Sequence, residues 1–247
     1  MKTIQISNKS NFIWLLGGLA LFLFAGAVAE QFELQYTNRI INIALMITLV
    51  LNIWSVDNPR TSMVGWKAGA TFIVACTMIT DSIIASNFLA KFQLFMTFIF
   101  LALTTWPAWS NVMFTGRVDR NKIVGSICIY LLLGLLWAFG FLLVETFLPG
   151  SFNGLDGEQW QQNTDTMVYY SLVTLTTLGY GDITPAGQIA RFLAYMEAVT
   201  GVFYMAILVA SLIGIRLAGV GSSGSADGQG AAADDRIASG SSETPQE

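Results

Sequence analysis

Six stretches of this chain are apolar over long distances, and polar breaks separate them. Residues 1–11 are polar and carry Lys2 and Lys9; residues 12–29 then run apolar without interruption. Residues 40–56, 64–85, 92–109, 123–147 and 190–215 repeat the pattern. A helix rises about 1.5 Å per residue, so about 20 apolar residues cross the hydrocarbon layer of a bilayer. The pattern therefore predicts an all-α membrane protein with six spanning helices. The breaks have the chemistry of turns: Asp57-Asn58-Pro59-Arg60 follows the second stretch and Pro149-Gly150 closes the fifth. Pro107 is expected to interrupt the fourth. The first stretch has two readings. Its end, Ala27-Val28-Ala29, has the small-x-small form of a signal-peptidase site, so residues 1–29 are either a first span or a cleaved signal. Cleavage would leave five spans.

A shorter element precedes the last span. Residues 165–176 make about 12 residues of helix, too few to cross a bilayer. Asn163, Thr164 or Asp165 supplies the N-cap. A re-entrant helix fits, with its C-terminal carbonyls aimed inward as a partial negative charge that favours a cation. Directly after it comes Thr176-Thr177-Leu178-Gly179-Tyr180-Gly181-Asp182, with Pro185 just beyond. A pore that passes a dehydrated cation must replace the lost water with oxygen ligands, and backbone carbonyls do so without formal charge. Pointing successive carbonyls at one axis needs φ > 0, which Gly179 and Gly181 tolerate. Thr177 adds a hydroxyl ligand. Leu178 and Tyr180 are expected to turn away from the ion and wedge the stretch against its helix.

This stretch resembles the selectivity filter of potassium channels, Thr-Val-Gly-Tyr-Gly-Asp, with Leu178 where valine is usual. The resemblance extends from about residue 123 to 216. It implies an outer helix at 123–147, a pore helix at 165–176, a filter at 177–181 and an inner helix at 190–215. It also implies K⁺ as the permeant ion, held at Thr177, Leu178, Gly179 and Tyr180, and no cofactor. Since the chain carries one such loop, closing a ring of carbonyls implies three further copies of the chain. The segment Glu197-Ala198-Val199-Thr200-Gly201-Val202-Phe203-Tyr204-Met205-Ala206 is similar to the inner helix of small prokaryotic channels. Gly201 falls at the family's hinge position, with close helix packing as the other reading. Glu197 either braces the filter from behind or is an interfacial acid. Two departures stand out. Val173 occupies the place where some members carry an acid that bonds the filter's aspartate, so Asp182 is expected to lack that partner. Tyr169 and Tyr170 stand where tryptophans are common, and one of them is expected to reach the Tyr180 hydroxyl as a cuff. Thr176 completes the support.

Composition narrows the alternatives. The chain has 247 residues, 54% hydrophobic and 11% charged, far below the usual quarter charged of soluble domains. No basic patch suits nucleic acid; the expected surroundings are lipid. From Arg216 onward five acids and two bases leave a net of −3. Residues 217–247 form a tail, rich in Gly, Ser, Ala and Asp from Gly219, that is expected to be disordered. With residues 1–11 in the cytoplasm and six spans, nine basic residues lie inside and three outside, as the positive-inside rule requires. That orientation places a multi-pass protein in the cell membrane, filter outward and tail in the cytoplasm. Cys76 and Cys128 both sit in apolar runs, read as buried thiols rather than a disulfide. With no histidine, a His-based metal site or pH switch is excluded.

Four spans, within residues 12–116, before a pore unit, 117–216, resemble the layout of voltage-gated channels, but between Lys91 and Arg117 there is no basic residue. Without a ladder of charges, strong voltage gating is not expected. Asp81 is either a lone intramembrane sensor or a carboxyl hydrogen-bonded to Thr77 or Thr80. The rival functions are a poorly selective cation channel, since Leu178 alters the wedge, and a K⁺ transporter subunit, against which the single intact loop argues. An enzyme is remote: no span pairs a nucleophile with a base.

Overall fold

A computed structural model describes residues 11–32, 43–44, 46–48, 50–51, 87–114, 120–155, 157, 159–211 and 213. The elements in chain order are α1 (Asn11–Gln31), α2 (Asn87–Phe114), α3 (Arg120–Phe147), β1 (Phe152–Asn153), α4 (Thr164–Leu175), β2 (Thr184–Pro185) and α5 (Gln188–Ser211). Residues 43–44, 46–48 and 50–51 are helical too. Three helices are long and apolar enough to cross a membrane, over Asn87–Trp106, Ile123–Phe147 and Gln188–Ser211; the apolar helix Phe12–Val28 is shorter. Most of the second predicted span and all of the third, with Cys76 and Asp81, lie outside the described residues, as do residues 1–10 and the tail.

Helix α3 is the element on which α1, α2 and α4 pack. Leu15, Leu19 and Phe22 of α1, Leu94, Phe100 and Leu101 of α2, and Met167 and Val168 of α4 are all buried in one cluster with Leu132, Leu135, Phe139 and Leu142 of α3. The segment that reads as either span or signal is therefore a helix packed into this core. Polar side chains within the apolar helices find carbonyls, as groups at membrane depth must. The Thr48 hydroxyl reaches Ala44 O at 2.9 Å and Gly18 O at 3.1 Å. The Cys128 thiol, free and buried, donates to Phe12 O at 3.4 Å.

Two expectations on the elements change. Helix α2 runs unbroken through Pro107 and beyond the predicted 92–109 at both ends. A proline inside a membrane helix is tolerated because its surroundings re-satisfy the freed carbonyl. The other difference is a two-residue antiparallel pairing, Phe152 with Pro185 and Asn153 with Thr184, in a chain expected to be all-α. It ties the loop after α3 to the segment before α5. The loop is shaped by Glu145, whose carboxylate accepts from Gly150 N at 2.7 Å and Phe152 N at 3.0 Å. Boundaries elsewhere move by a few residues, as helix ends do: α3 starts at Arg120 rather than 123, and α4 covers 164–175 rather than 165–176.

The chain divides into two units, Met1–Tyr204 and Met205–Glu247. Of the second, the described residues are helical, and the Ser211 hydroxyl bonds to Ile207 O.

Candidate functional site

The site is built on α4, which is anchored at its start by side chains around it. Asn163 is the N-cap by position, yet its side chain makes no cap bond. It ties down Gly157 instead, accepting from Gly157 N at 3.0 Å and donating to Gly157 O at 2.8 Å. The Trp160 indole donates to Ala90 O of α2 at 3.0 Å, so the approach to α4 is fixed to a neighbouring helix. Tyr170, expected as a cuff residue, is buried; its ring lies edge-on to Phe141 and Phe152 at 5.2 and 5.5 Å.

The middle of α4 lies close to both flanking helices. Ser171 sits between the carbonyl of Gly134 on α3, at 2.7 Å, and the carboxyl of Glu197 on α5, bonded to both. A Cβ at Gly134 would come within 2.6 Å of the Leu172 side chain, so glycine there permits the approach. Glu197 is fully buried. It lies against α4, not at an exposed boundary, and only its Oε1 has a partner among the described residues.

Helix α4 stops in a Schellman arrangement. The Leu178 N–H bonds back to Val173 O at 2.9 Å and the Thr177 N–H to Thr174 O at 2.9 Å. That motif places its turning residue in the left-handed region, where glycine is usual. Here the residue is Thr177, with φ 60°, the one non-glycine residue at positive φ among the described residues. A β-branched residue held there costs about 1–2 kcal/mol. Gly179 follows at φ 57° and Gly181 at φ 82°. Positive φ thus recurs at every second residue, 177, 179 and 181. Sequence reasoning assigned this freedom to the two glycines and missed the threonine, since nothing in its side chain announces it.

The outer end of the stretch is clamped. Asp182 has no acid at 173 to bond it, but it has another partner: the Tyr169 hydroxyl donates to its Oδ2 at 2.8 Å. The expected cuff is changed accordingly. Tyr169 stacks on the Tyr180 ring at 6.5 Å and 10° and spends its hydroxyl on Asp182. That bond holds the Asp182 carboxyl below the usual carboxylate range and the Tyr169 hydroxyl above the usual phenol value. Beyond Asp182, Ile183 is buried, and Ala186 N and Gly187 N both donate to Ser151 O. Leu178 is not wedged by its own chain: it is 57% exposed. From Thr176 to Asp182 every residue is exposed in the single chain.

Gly201 lies on α5 beside the end of α4. A Cβ built on it would overlap Leu175 O and lie 3.0 Å from the Leu175 carbonyl carbon. The obstacle is backbone, so this contact by itself requires glycine. Tyr130, which the sequence did not single out, donates its hydroxyl to the same Leu175 O at 3.1 Å. A hydroxyl inside an apolar spanning run was the available signal, because a buried tyrosine needs a partner.

Residues 127–216 match the family model described as ion channel. No curated protein and no solved structure matches the chain. The matched region runs from α3 to just past α5 and contains every residue of the site. The match supports an ion channel rather than an enzyme, and the apolar helices support a membrane protein.

Two outcomes follow from this geometry. Thr177→Gly relieves about 1–2 kcal/mol of backbone strain while adding roughly 0.4–1 kcal/mol of unfolded-state entropy. Thermal unfolding without K⁺ is therefore expected to be unchanged or slightly later. A lower unfolding midpoint in Thr177→Gly would contradict this.

The second outcome concerns pH. A carboxyl with a depressed pKa contributes above its unfolded value, and the contribution fades only as pH falls through the depressed one. The Tyr169 hydroxyl stays protonated until pH passes above the ordinary phenol range. The Tyr169–Asp182 bond should therefore persist unchanged from pH 5 to pH 9. In Tyr169→Phe, carboxyl-carbon NMR should show Asp182 titrating at a higher pH than in the parent protein. An unshifted titration would remove the bond from the account.

Proposed function

We propose that the chain is one subunit of a homotetrameric, K⁺-selective channel that conducts passively through carbonyls of residues 177–181. The observation that carries the reading is the recurrence of positive φ at Thr177, Gly179 and Gly181, immediately beyond the end of a short helix. That alternation turns successive carbonyls to a common side, the arrangement a dehydrated cation needs. Thr177, Leu178, Gly179 and Tyr180 would hold the ion. Glu197, through Ser171, and Tyr169, through Asp182, would keep the stretch in place from behind and from above; Tyr170 and Thr176 would support it.

Two further features support fourfold assembly. One chain supplies one filter segment, and each residue of it is exposed in that chain. Helix α5 is only 22% buried over its apolar length, against 56% for α3, so it needs cover from lipid or from other copies. In this reading residues 12–116 hold four spans, the filter faces outward and the tail is cytoplasmic. Gly201 would serve as a gating hinge only if the inner helix leaves Leu175 as it bends. The exposed Leu178 supports a second reading, a less selective cation channel, should no neighbouring copy cover it.

One recording separates these. In a bilayer with opposed K⁺ and Na⁺ gradients, the reversal potential is expected to follow K⁺. A potential between the two equilibrium values would favour the less selective channel, and one that follows Na⁺ would overturn both. Gly179→Ala is expected to abolish the current, since a methyl group disfavours φ near 57°. In the same bilayer, open probability is expected to vary shallowly with voltage. Steep gating needs several charges moving through the field, each worth about 2.3 kcal/mol per 100 mV. Between Lys91 and Arg117 there is no basic residue to move.

A further inference from the structure

Four carbonyls at the end of a helix lack partners within it. At the end of α4, three are answered by the chain that follows: Leu172 O by Thr176 N, Thr174 O by Thr177 N, and Val173 O by Leu178 N. The fourth, Leu175 O, takes the hydroxyl of Tyr130 from α3 at 3.1 Å. Leu175 is buried and lies two residues before the strained Thr177. The same carbonyl also meets Gly201 of α5.

Tyr130 is itself held. Its ring lies 5.5 Å from that of Tyr204 at 36°, and Tyr204 lies 5.3 Å from Trp109 at 52°. These are ordinary separations for attractive aromatic pairs. Tyr204 is fully buried and fixes its hydroxyl on Ser126 O of α3 at 2.6 Å. A column of three rings therefore leads from α2, through α5 and α3, to the last carbonyl of α4.

We infer that Tyr130 is a positioning residue for the ion path: its hydroxyl fixes the Leu175 carbonyl, and through it the left-handed Thr177, while Tyr204 and Trp109 hold Tyr130 in place. The inference rests on the K⁺-channel reading. A residue in a sparsely populated conformation stays there only while its surroundings over-determine it. Tyr130 is one such constraint, placed where no backbone donor serves. Freed of its donor, the Leu175 peptide plane can tilt, and the hydroxyl and carbonyl of Thr177 move with it. Ion affinity at the inner end of the filter then falls, although the helices remain packed.

The test is thermal unfolding of the full-length protein in lipid nanodiscs, titrated with K⁺ at constant ionic strength against Na⁺. Ligand that binds only the folded state raises the midpoint with concentration, so the curve yields an apparent K⁺ affinity. Tyr130→Phe keeps the ring and removes only the donor. Its apparent affinity is expected to fall on the order of fivefold or more, the scale of an unanswered carbonyl, with a small change in the K⁺-free midpoint. Trp109→Ala is expected to weaken affinity in the same direction, and less than additively when combined with Tyr130→Phe. If Tyr130→Phe does not fold, Tyr204→Phe, which frees the middle ring from Ser126, is expected to lower the affinity as well. A midpoint lowered equally at all K⁺ concentrations would make Tyr130 merely structural and overturn the inference, as would an unchanged curve. If the parent protein itself shows no K⁺-dependent midpoint, the K⁺-channel reading fails, and the inference with it.

Discussion

Backbone that leaves the helical path at membrane depth must have its polar groups answered by protein or by the cargo it carries. The end of α4 is where this chain meets that demand. Its four last carbonyls are all occupied, three by the N–H groups of residues 176–178 and one by Tyr130. The carbonyls of the next residues are thereby left over, unclaimed by the helix stop. The Schellman turn is thus the step that separates a helix, whose carbonyls serve its own backbone, from the segment that in the proposed channel would present its carbonyls to an ion. Much of the surrounding packing can be understood as holding that turn. Ser171 ties α4 to α3 and α5 at its middle, and the pairing of β1 with β2 fixes the chain beyond Asp182.

The division of labour among the helices follows. Helix α3 is more than half buried, because α1, α2 and α4 all lean on it. It contributes the donor for Leu175, the acceptor for Ser171 and the wall behind Tyr170. Helix α5 contributes a fully buried carboxyl at Glu197 and a glycine at 201, but much of its apolar surface has no cover from the chain. A helix apolar on every side with so little burial belongs in lipid or in an assembly.

Much of this was legible in the sequence, and what was not has physical causes. Length and apolarity located α3, α4 and α5 to within a few residues, because spanning and re-entrant helices differ in length. The positive φ at Gly179 and Gly181 was legible because glycine is the residue that tolerates it. Val173 does leave Asp182 without the acid some channels place there, but the partner it has instead, Tyr169, was not foreseen. A tyrosine hydroxyl four residues earlier, one helical turn away on the same face, does the task with a neutral donor. Pro107 was expected to break α2, a rule calibrated on helices that water can enter. Tyr130 and Ser171 stayed hidden because they matter through carbonyls of distant residues, and carbonyls carry no sequence signature.

The glycines show the same limit from another side, and bear on how the site works. Gly179 and Gly181 have open space around their α-carbons and positive φ, so they are glycine for backbone reasons. Gly201 lies within a helix, and is glycine because the Leu175 backbone occupies the place of a side chain; at Gly134 the neighbour is the movable end of the Leu172 side chain. In sequence the two kinds look alike. The distinction changes what Gly201 implies. A hinge glycine would give the inner helix freedom; a contact glycine gives it a grip on Leu175, so that bending the helix either carries the end of α4 along or breaks the contact. Thr177 sits two residues beyond that contact, already strained. A strained residue beside a close backbone contact is sensitive to small displacements, since packed interiors switch between arrangements more readily than they deform. In the proposed channel, motion of α5 and the state of the filter would then share one backbone carbonyl, also held by Tyr130.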